Sequence, residues 1–151
     1  MNVLIRDCRI GDSIDIQVLN QNELGYEYPL EAVEGKLENL LRERTHKIVV
    51  AVVDGKVIGY VHACAYDLLY APPLKNIMGI AVSSDFKKRG IGKKLLNYVE
   101  QWARDTGADG VRLVSGATRT GAHAFYTACG YSCNKEQKYF IKYFKEKESK
   151  S

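Results

Sequence analysis

The sequence predicts an α/β protein in which one mixed, mostly antiparallel sheet carries helices on both faces. Two observations favour this class. Asp54-Gly55, a dipeptide suited to a tight hairpin turn, separates two β-rich runs and so indicates antiparallel strands. Farther along, residues 76–83, 92–107 and 110–115 have strand, helix and strand patterns in that order, as in a crossover between two parallel strands.

The individual elements follow from hydrophobic periodicity and from breaker residues. Residues 3–10 are rich in β-branched side chains and predict the first strand, and Asp12 or Ser13 can cap a helix over 13–24. A second helix over 30–44 has apolar residues at helical spacing. The remaining predicted elements are the strands on either side of Asp54-Gly55, the strand at 76–83, the helix at 92–107, the strand at 110–115, a short helix at 119–130, and one or two last strands within 131–145.

Length and composition favour one globular domain. The chain has 151 residues, of which 46% are hydrophobic and 26% are charged. We expect a single domain over 1–145 and a disordered tail over 146–151, because "EKESKS" has no apolar side chain to bury. The sequence contains no run of 18 apolar residues, which a membrane span would need. Charges at Arg6, Asp7 and Arg9 lie where a signal peptide would have its apolar stretch. We therefore expect a cytoplasmic protein.

The cysteines predict neither disulfides nor a metal site. They form no CxxC pair and have no histidine at metal-ligand spacing, so we expect free thiols and no metal. The four are Cys8, Cys64, Cys129 and Cys133.

A basic, glycine-containing turn precedes the helix at 92–107. Its cations repel one another, so either an anion lies among them or the cluster is a solvated surface. They are Lys87, Lys88, Arg89, Lys93 and Lys94. Gly90 and Gly92 allow close approach to the first backbone N–H groups of the helix, where a pyrophosphate can bind. The turn does not match the pattern of a nucleotide-phosphate loop, because Lys94 stands where that pattern requires Ser or Thr. It does not match the dinucleotide-binding fingerprint either, because Leu95 stands where that pattern requires a glycine.

Two segments at the right separation resemble the GNAT acetyltransferases. "KKRGIG" at 87–92 resembles their motif A, with Lys87 where the family has Gln or Arg. "AHAFYTACGYS" at 122–132 resembles their A-x-x-FY-x-x-x-GF segment, with Tyr131 replacing Phe. The resemblance covers about residues 3–144, and it implies a sheet of six or seven strands that is splayed open between the strands at 76–83 and 110–115.

The resemblance also implies acetyl-CoA as co-substrate and assigns site residues. The main chain of Ile80, Ala81 and Val82 would bind the pantetheine arm, and Tyr126 would be the general acid. The pyrophosphate would be held by Lys87, Lys88, Arg89, Gly90, Ile91, Gly92 and Lys93. A thiol has a pKa near ~8.5 and tyrosine near ~10, so proton transfer from Tyr126 to the leaving thiolate is uphill by about 1.5 units. We therefore expect Tyr126 to assist the reaction without being indispensable.

The residue that accepts a proton from the attacking amine in many members of the family has no counterpart in this sequence. Many relatives have a Glu on the strand before motif A, whereas residues 76–81 contain no carboxylate. Glu27, His62 and Asp67 are the candidates, although His62 can be a packed strand residue and the two carboxylates can be solvated. Many relatives also have an Asn before the A-x-x-FY segment, and "GATRTG" at 116–121 has none.

The acceptor side is expected around the tyrosine-rich turn at 24–29, the loop at 66–75 and the last strands. Tyr28 and the other tyrosines there can line an amine pocket by cation–π contact or can be ordinary packing. His123 lies beside Ala122, as in relatives that acetylate small amines, including aminoalkylphosphonate acetyltransferases. We treat it as a helix residue near the cofactor.

The leading functional hypothesis is an acetyl-CoA-dependent N-acetyltransferase of a small-molecule amine. The alternatives are acetylation of proteins or peptides and a CoA-binding sensor without turnover. The net charge of +4 is too small to imply nucleic acid, and neither nucleic-acid nor membrane partners are expected. The C-terminal strands allow a homodimer.

Overall fold

The computed structural model describes residues 1–145, so the tail expected at 146–151 lies outside the described residues. The chain divides into two compact units, Met1–Val114 and the residues from Ser115 onward. The single domain expected over 1–145 stays a prediction, and each unit is described by itself.

The first unit contains one five-stranded sheet whose strands neighbour one another in chain order. The strands are β1 (Leu4–Asp7), β2 (His46–Val53), β3 (Lys56–Tyr66), β4 (Leu74–Val82) and β5 (Gly110–Leu113). The pairs from β1 to β4 are antiparallel, and β4 pairs with β5 in parallel. The mixed, mostly antiparallel sheet predicted from the sequence is confirmed.

Three of the helices belong to the first unit. They are α1 (Ser13–Leu19), α2 (Leu30–Leu40) and α3 (Ile91–Asp105), and the second unit contains α4 (Thr120–Ala128). α1 is shorter than the predicted helix over 13–24, because a π-helical turn over Asn20–Leu24 follows it and ends at Gly25 with φ +76°. Glycine reaches that left-handed conformation without steric cost, so the chain can leave the helix there.

The two faces of the sheet are covered by different helices, as predicted. On one face, Ile16 and Leu19 of α1 and Val33 and Leu37 of α2 form a core with Tyr60 and other strand residues. On the other face, a Cβ added to Gly59 would lie 3.5 Å from Leu95 of α3. The α3 side chains buried there are Ile91, Leu95, Leu96, Val99 and Ala103. Burying each large aliphatic side chain contributes about 1.5–3 kcal/mol, which anchors the first turn of α3.

Asp12 is the N-cap residue of α1, but its side chain bonds to residues that precede the helix. Its carboxylate accepts a hydrogen bond from the Arg9 backbone N–H at 2.8 Å and pairs with the Arg6 guanidinium at 2.8 Å. No side-chain cap bond is made to the start of α1. Asp12 thus occupies the predicted N-cap position but makes no side-chain capping bond, because the nearby Arg6 and Arg9 donors engage its carboxylate.

The number of strands is corrected from six or seven to five for the described residues. Residues 131–145 contain no helix or strand, although strands were predicted there. Five of their large apolar side chains are exposed, those of Tyr139, Phe140, Ile141, Tyr143 and Phe144. High β-propensity does not make a strand unless a neighbouring strand completes the backbone hydrogen bonds and packs one face.

Three further features of residues 1–145 concern the expected partners. None of their helices combines the length and the apolar character needed to cross a bilayer. No group of three or more His, Cys, Asp or Glu side chains among them could hold a metal ion. All four cysteines are free thiols.

Candidate active site

The two parallel strands β4 and β5 part halfway along β4. Their last paired residues are Ile77 and Leu113, where β5 ends. Within the described residues, Gly79–Val82 keeps a strand partner on the β3 side alone. The backbone of this segment, which includes Ile80, Ala81 and Val82, therefore has an open edge with unpaired hydrogen-bonding groups. The opening agrees with the splay expected between 76–83 and 110–115.

A β-bulge lies at the beginning of this open edge. The β3–β4 register skips Met78, between the pairs His62–Gly79 and Ala63–Ile77. Directly opposite residues of antiparallel strands share a face, so His62 and Gly79 lie side by side on the face covered by α1 and α2. Nothing lies within 4 Å of the position that a Cβ on Gly79 would occupy. Free space therefore lies over β4 beside the His62 ring.

The chain passes from β4 to α3 through a turn with two left-handed residues. Residues Ser84–Phe86 form a 3₁₀ turn, and Lys88 and Gly90 then have φ values of +61° and +77°. A lysine in this conformation is uncommon, and such outliers concentrate at ligand-binding segments. Nothing lies within 4 Å of a Cβ placed on Gly90, so the turn leaves room for a ligand to approach its backbone.

The first turn of α3 has backbone donors aimed out of the helix. The first helical hydrogen bond runs from the Lys94 N–H to the Gly90 carbonyl at 3.1 Å. The N–H groups of Ile91, Gly92 and Lys93 precede that bond, and no side chain caps them. These donors and the helix dipole form the kind of site that binds a phosphate group.

One cation of the basic turn pairs with a carboxylate from a distant part of the chain, which no local sequence pattern singles out. Glu23, near the end of the π-helical turn, lies 3.4 Å from Lys87 Nζ and accepts hydrogen bonds from the backbone N–H and the hydroxyl of Ser84. Burial alone would raise the pKa of Glu23, but the bonds from Ser84 and then from Lys87 outweigh it and hold the pKa below its usual value. Lys88, Lys93 and Lys94 are exposed, and the Arg89 guanidinium lies over the Phe86 ring at 5.6 Å.

An acidic cleft of about 470 Å³ lies next to the same turn, between α1 and the β2–β3 hairpin. Its carboxylates are those of Asp15, Glu23, Asp54 and Asp85. Because like charges repel, this cleft does not suit a diphosphate. The basic residues and the free helix donors, on the other hand, lie between Lys87 and Lys94.

A smaller pocket of about 140 Å³ lies between the sheet and α1 and α2. It brings together Tyr28 and His62, two of the residues predicted for the acceptor side. Lys36 Nζ lies 5.2 Å from the centre of the Tyr28 ring, and the Tyr60 hydroxyl donates a hydrogen bond to Asn20 Oδ1. The lining residues are Ile16, Asn20, Tyr28, Val33, Lys36, Leu37, Leu40, Ile48, Tyr60 and His62. Burial, and then the neighbouring Tyr26, raise the pKa of Tyr60 to about 12, so this hydroxyl keeps its proton at neutral pH.

His62 contacts a second histidine, which no local pattern in the sequence singles out. Nδ1 of His46, the first residue of β2, lies 2.9 Å from Nε2 of His62, and the ring centroids are 5.1 Å apart. Burial, and then the charge of His46, lower the pKa of His62 to about 4. The His62 ring is therefore neutral at pH 7, and one hydrogen is shared between the two rings.

The other two candidate proton acceptors are not part of the lining of this pocket. Glu27 and Asp67 are exposed, and neither lines the pocket that contains Tyr28 and His62. On β4, Asn76 accepts a hydrogen bond from Arg112, whose guanidinium lies 4.2 Å from the centre of the Tyr66 ring. β4, the strand on which many relatives have a Glu, is therefore linked to β5 through the side-chain amide of Asn76.

In the second unit, Tyr126 lies on α4, as predicted. Its ring packs against Phe125 at 5.3 Å and edge-on against Tyr131 at 6.2 Å between centroids. Burial raises the pKa of Tyr126, with a smaller opposing effect of Arg119. His123 Nε2 lies 2.8 Å from the Gly116 carbonyl oxygen, so this histidine bonds to the segment that precedes α4.

The sequence of this chain matches a known enzyme family over most of its length. A model of the acetyltransferase (GNAT) family matches residues 14–131. This chain belongs to the GNAT acetyltransferase family. The resemblance inferred from motif A and from the segment at 122–132 is confirmed, as is the prediction of an acyltransferase at the level of the family.

Two curated relatives of this GNAT protein are N-acetyltransferases. The aminoalkylphosphonate N-acetyltransferase of Salmonella typhimurium is 31% identical over 114 residues, which are 75% of this chain and 71% of that protein. The uncharacterized N-acetyltransferase YhdJ of Bacillus subtilis is 41% identical over 51 residues, which are 34% of this chain and 36% of that protein. The matched segment thus spans about a third of the Bacillus protein.

Solved structures share the fold of this GNAT protein. AAC(6')-Iy in complex with the bisubstrate analog CoA-S-monomethyl-acetylneamine has a TM-score of 0.85 at 21% identity, over 95% of this chain and 99% of that one. Glucosamine-6-phosphate N-acetyltransferase from Arabidopsis thaliana has a TM-score of 0.79 at 22% identity, over 96% and 100%. At these identities the likeness shows the fold alone.

The residues of this GNAT protein fit coenzyme A on two counts. The open edge at Gly79–Val82 has backbone groups for an amide-containing arm, and the uncapped start of α3 has donors for a diphosphate. The empty space around a Cβ at Gly90 allows a diphosphate to approach the backbone of the turn closely. The chain runs directly from the open edge into the turn, so both belong to one continuous segment.

Proposed function

We propose that this protein transfers an acetyl group from acetyl-CoA to a primary amine of a small molecule. The observation that carries the proposal is the continuity of the open β4 edge with the uncapped N-terminus of α3. One end offers extended backbone, and the other offers helix donors beside exposed cations. A ligand that combines an amide-rich arm with a diphosphate uses both ends.

Within this proposal, specific residues have specific tasks toward the coenzyme. The backbone of Ile80, Ala81 and Val82 pairs with the pantetheine amides as an added strand would. The N–H groups at Ile91, Gly92 and Lys93 bind the diphosphate, and Lys87, Lys88 and Arg89 add electrostatic attraction at the rim. Bound acetyl-CoA supplies an acyl thioester for the amine to attack.

The pocket beside His62 supports a small acceptor. At about 140 Å³ it suits a compact amine better than a peptide chain. Lys36 is the charged residue among its lining side chains, and no carboxylate is found among them. Such a pocket favours an amine that also bears an acid group and disfavours a polycation. Aminoalkylphosphonates, named for the Salmonella relative, belong to the favoured class.

The proton chemistry involves two side chains. An amine must lose a proton before or as it attacks, and His62 has an unprotonated ring nitrogen in the acceptor pocket next to the free space over Gly79. Tyr126 is the proposed donor to the departing thiolate, but its raised pKa makes that transfer more uphill than the ordinary values imply. Tyr126 therefore assists the departure of the thiolate and is not essential for it.

One observation favours a different function, a CoA-binding sensor without turnover. β4 has no carboxylate in the position range where many relatives carry their Glu, and Asn76 is bonded to Arg112 instead. A sensor would bind the coenzyme at the same turn and would have no need of a proton acceptor.

The experiment that separates these functions combines acetyl-CoA with a panel of amines and follows free thiol release. The panel contains 2-aminoethylphosphonate, an aminoglycoside and a lysine-containing peptide, and calorimetry measures CoA binding in parallel. Fastest release with the aminophosphonate supports the proposal. Fastest release with the peptide overturns the small-molecule assignment, and tight CoA binding without release from any amine supports the sensor.

A further inference from the structure

The proposed reaction needs a destination for the proton of the incoming ammonium group. β4 has no carboxylate, and the exposed Glu27 and Asp67 are not among the residues that line the pocket. His62 is directly opposite Gly79 in the register, and Gly79 has open space where a side chain would be. An amine that approaches the open edge over Gly79 therefore passes beside the His62 ring.

We propose that His62 and His46 form a proton relay for the attacking amine, an inference that rests on the proposed function. The 2.9 Å contact between the rings allows the tautomer in which His62 Nε2–H donates to His46 Nδ1. Nδ1 of His62 then accepts a proton from the ammonium group, while the Nε2 proton of His62 moves to His46 Nδ1. His62 stays neutral and changes tautomer, and His46 becomes an imidazolium that releases the proton to water.

The surroundings of His62 favour passing the proton on over keeping it. The titratable or charged side chains that contact it or share its pocket are His46 from β2, Tyr60 from β3, Tyr28 from the segment before α2, and Lys36 from α2. β4 contributes Gly79, and α1 with the following π turn contributes Ile16 and Asn20, none of them titratable. No carboxylate of the described residues lines this pocket to stabilise a charged ring. Burial accordingly lowers the pKa of His62 to about 4.

His46 is placed to give the proton to solvent. It is the first residue of β2 and directly follows a turn at 41–45 whose residues are all exposed. In this scheme His62 is the residue that touches the substrate, and His46 is a positioning residue that also completes the proton path.

The test compares kcat/KM for the amine from pH 6 to 9 in the wild-type protein and in His46→Asn. Asparagine retains a hydrogen-bonding atom near the position of Nδ1 but cannot take up a proton. The variant then depends on the fraction of the amine that has already lost its proton in solution. That fraction is small at pH 7, because the pKa of the ammonium group is about 10. We expect a loss of about 100-fold at pH 7 that shrinks about tenfold per pH unit as the pH rises.

Two further variants sharpen the result. If the two rings act as one path, His46→Asn combined with His62→Gln is no slower than His62→Gln alone. Lys47→Gln is the matched control, since Lys47 follows His46 on β2 but points to Asp7 and Tyr98, and it should keep the wild-type pH profile. Thermal unfolding checks each fold, and His46→Gln replaces His46→Asn if the latter does not fold.

Three outcomes overturn the relay. A loss that is equal at every pH indicates a structural role, and additive losses in the double variant indicate independent residues. If the wild-type protein transfers acetyl groups, either of these results overturns the relay and leaves the proposed function in place. Absence of transfer by the wild-type protein overturns the proposed function and the relay with it.

Discussion

The carboxylate of Glu23 lies 3.4 Å from the ammonium group of Lys87 and also accepts a hydrogen bond from the hydroxyl of Ser84, whose Oγ lies 2.8 and 3.0 Å from the two carboxylate oxygens. Glu23 and Ser84 are 61 residues apart in the chain, so this contact ties the end of the π-helical turn after α1 to the basic turn before α3. One carboxylate thereby offsets part of the repulsion among the cations and orders the segment proposed to bind the coenzyme.

Replacing Glu23 by Gln should destabilise the fold by about 1–2 kcal/mol at pH 7, because bonds from Ser84 and Lys87 to a charged acceptor are lost or weakened. The pKa of Glu23 is lowered on folding, so its contribution is present above the unfolded value of about 4.3 and disappears as the pH falls through the lower folded value. Urea unfolding at pH 7 and near pH 3 measures this. A difference between wild type and variant that does not shrink in acid contradicts the account.

Replacing Gly90 by Ala should weaken coenzyme binding by at least about tenfold. The new Cβ occupies the space through which a diphosphate approaches the backbone, and a left-handed alanine costs about 1–2 kcal/mol. Gly55→Ala is the matched control, because Gly55 has φ +76° and equally open space but lies in the β2–β3 hairpin. Calorimetry with CoA and thermal unfolding separate the two effects: both variants should lose similar stability, and Gly90→Ala alone should lose affinity. Equal affinities would move the diphosphate away from this turn.

Replacing Gly79 by Val should fill the free space beside His62 and lower kcat/KM for the amine by at least about tenfold. CoA affinity should change little, since the backbone donors of Ile80–Val82 remain. Gly79→Ala, with a smaller side chain, should have a smaller effect on the same measurement. If valine at this position leaves the amine kinetics unchanged, the acceptor does not approach over Gly79.

Replacing Tyr126 by Phe should reduce kcat by about tenfold, below the ~10²–10⁴-fold usual for general acids. Tyrosine is already a weaker acid than the thiol that it would protonate, and the raised pKa of Tyr126 increases that difference, so the thiolate leaves without it at a reduced rate. Tyr131→Phe, at the ring that packs edge-on against Tyr126, is the control and should keep the wild-type rate. Steady-state rates with saturating substrates decide, and an unchanged kcat in Tyr126→Phe removes it from the mechanism.

Much of the candidate site could be predicted because its residues are close together in the chain. Residues 87–92 and the helix that follows are contiguous, so glycine placement, charge and periodicity together indicate a turn that exposes helix donors. The family resemblance depended on the same stretch and on the segment at 122–132. The prediction of strands within 131–145 was wrong for the opposite reason, because a strand requires a partner that its own residues do not specify.

Sequence alone determined the fold class, the family, and the stretch from 76 to 94 where a coenzyme is expected, since these depend on order, spacing and local conformation. Tertiary structure alone decided that Glu23 reaches Ser84 and Lys87, that β4 bulges at Met78 and parts from β5 after Ile77, and that His46 meets His62. Each of these depends on strand register or on a contact between distant segments. A shift of one residue in β2, β3 or β4 would turn the side chains concerned to the opposite face of the sheet.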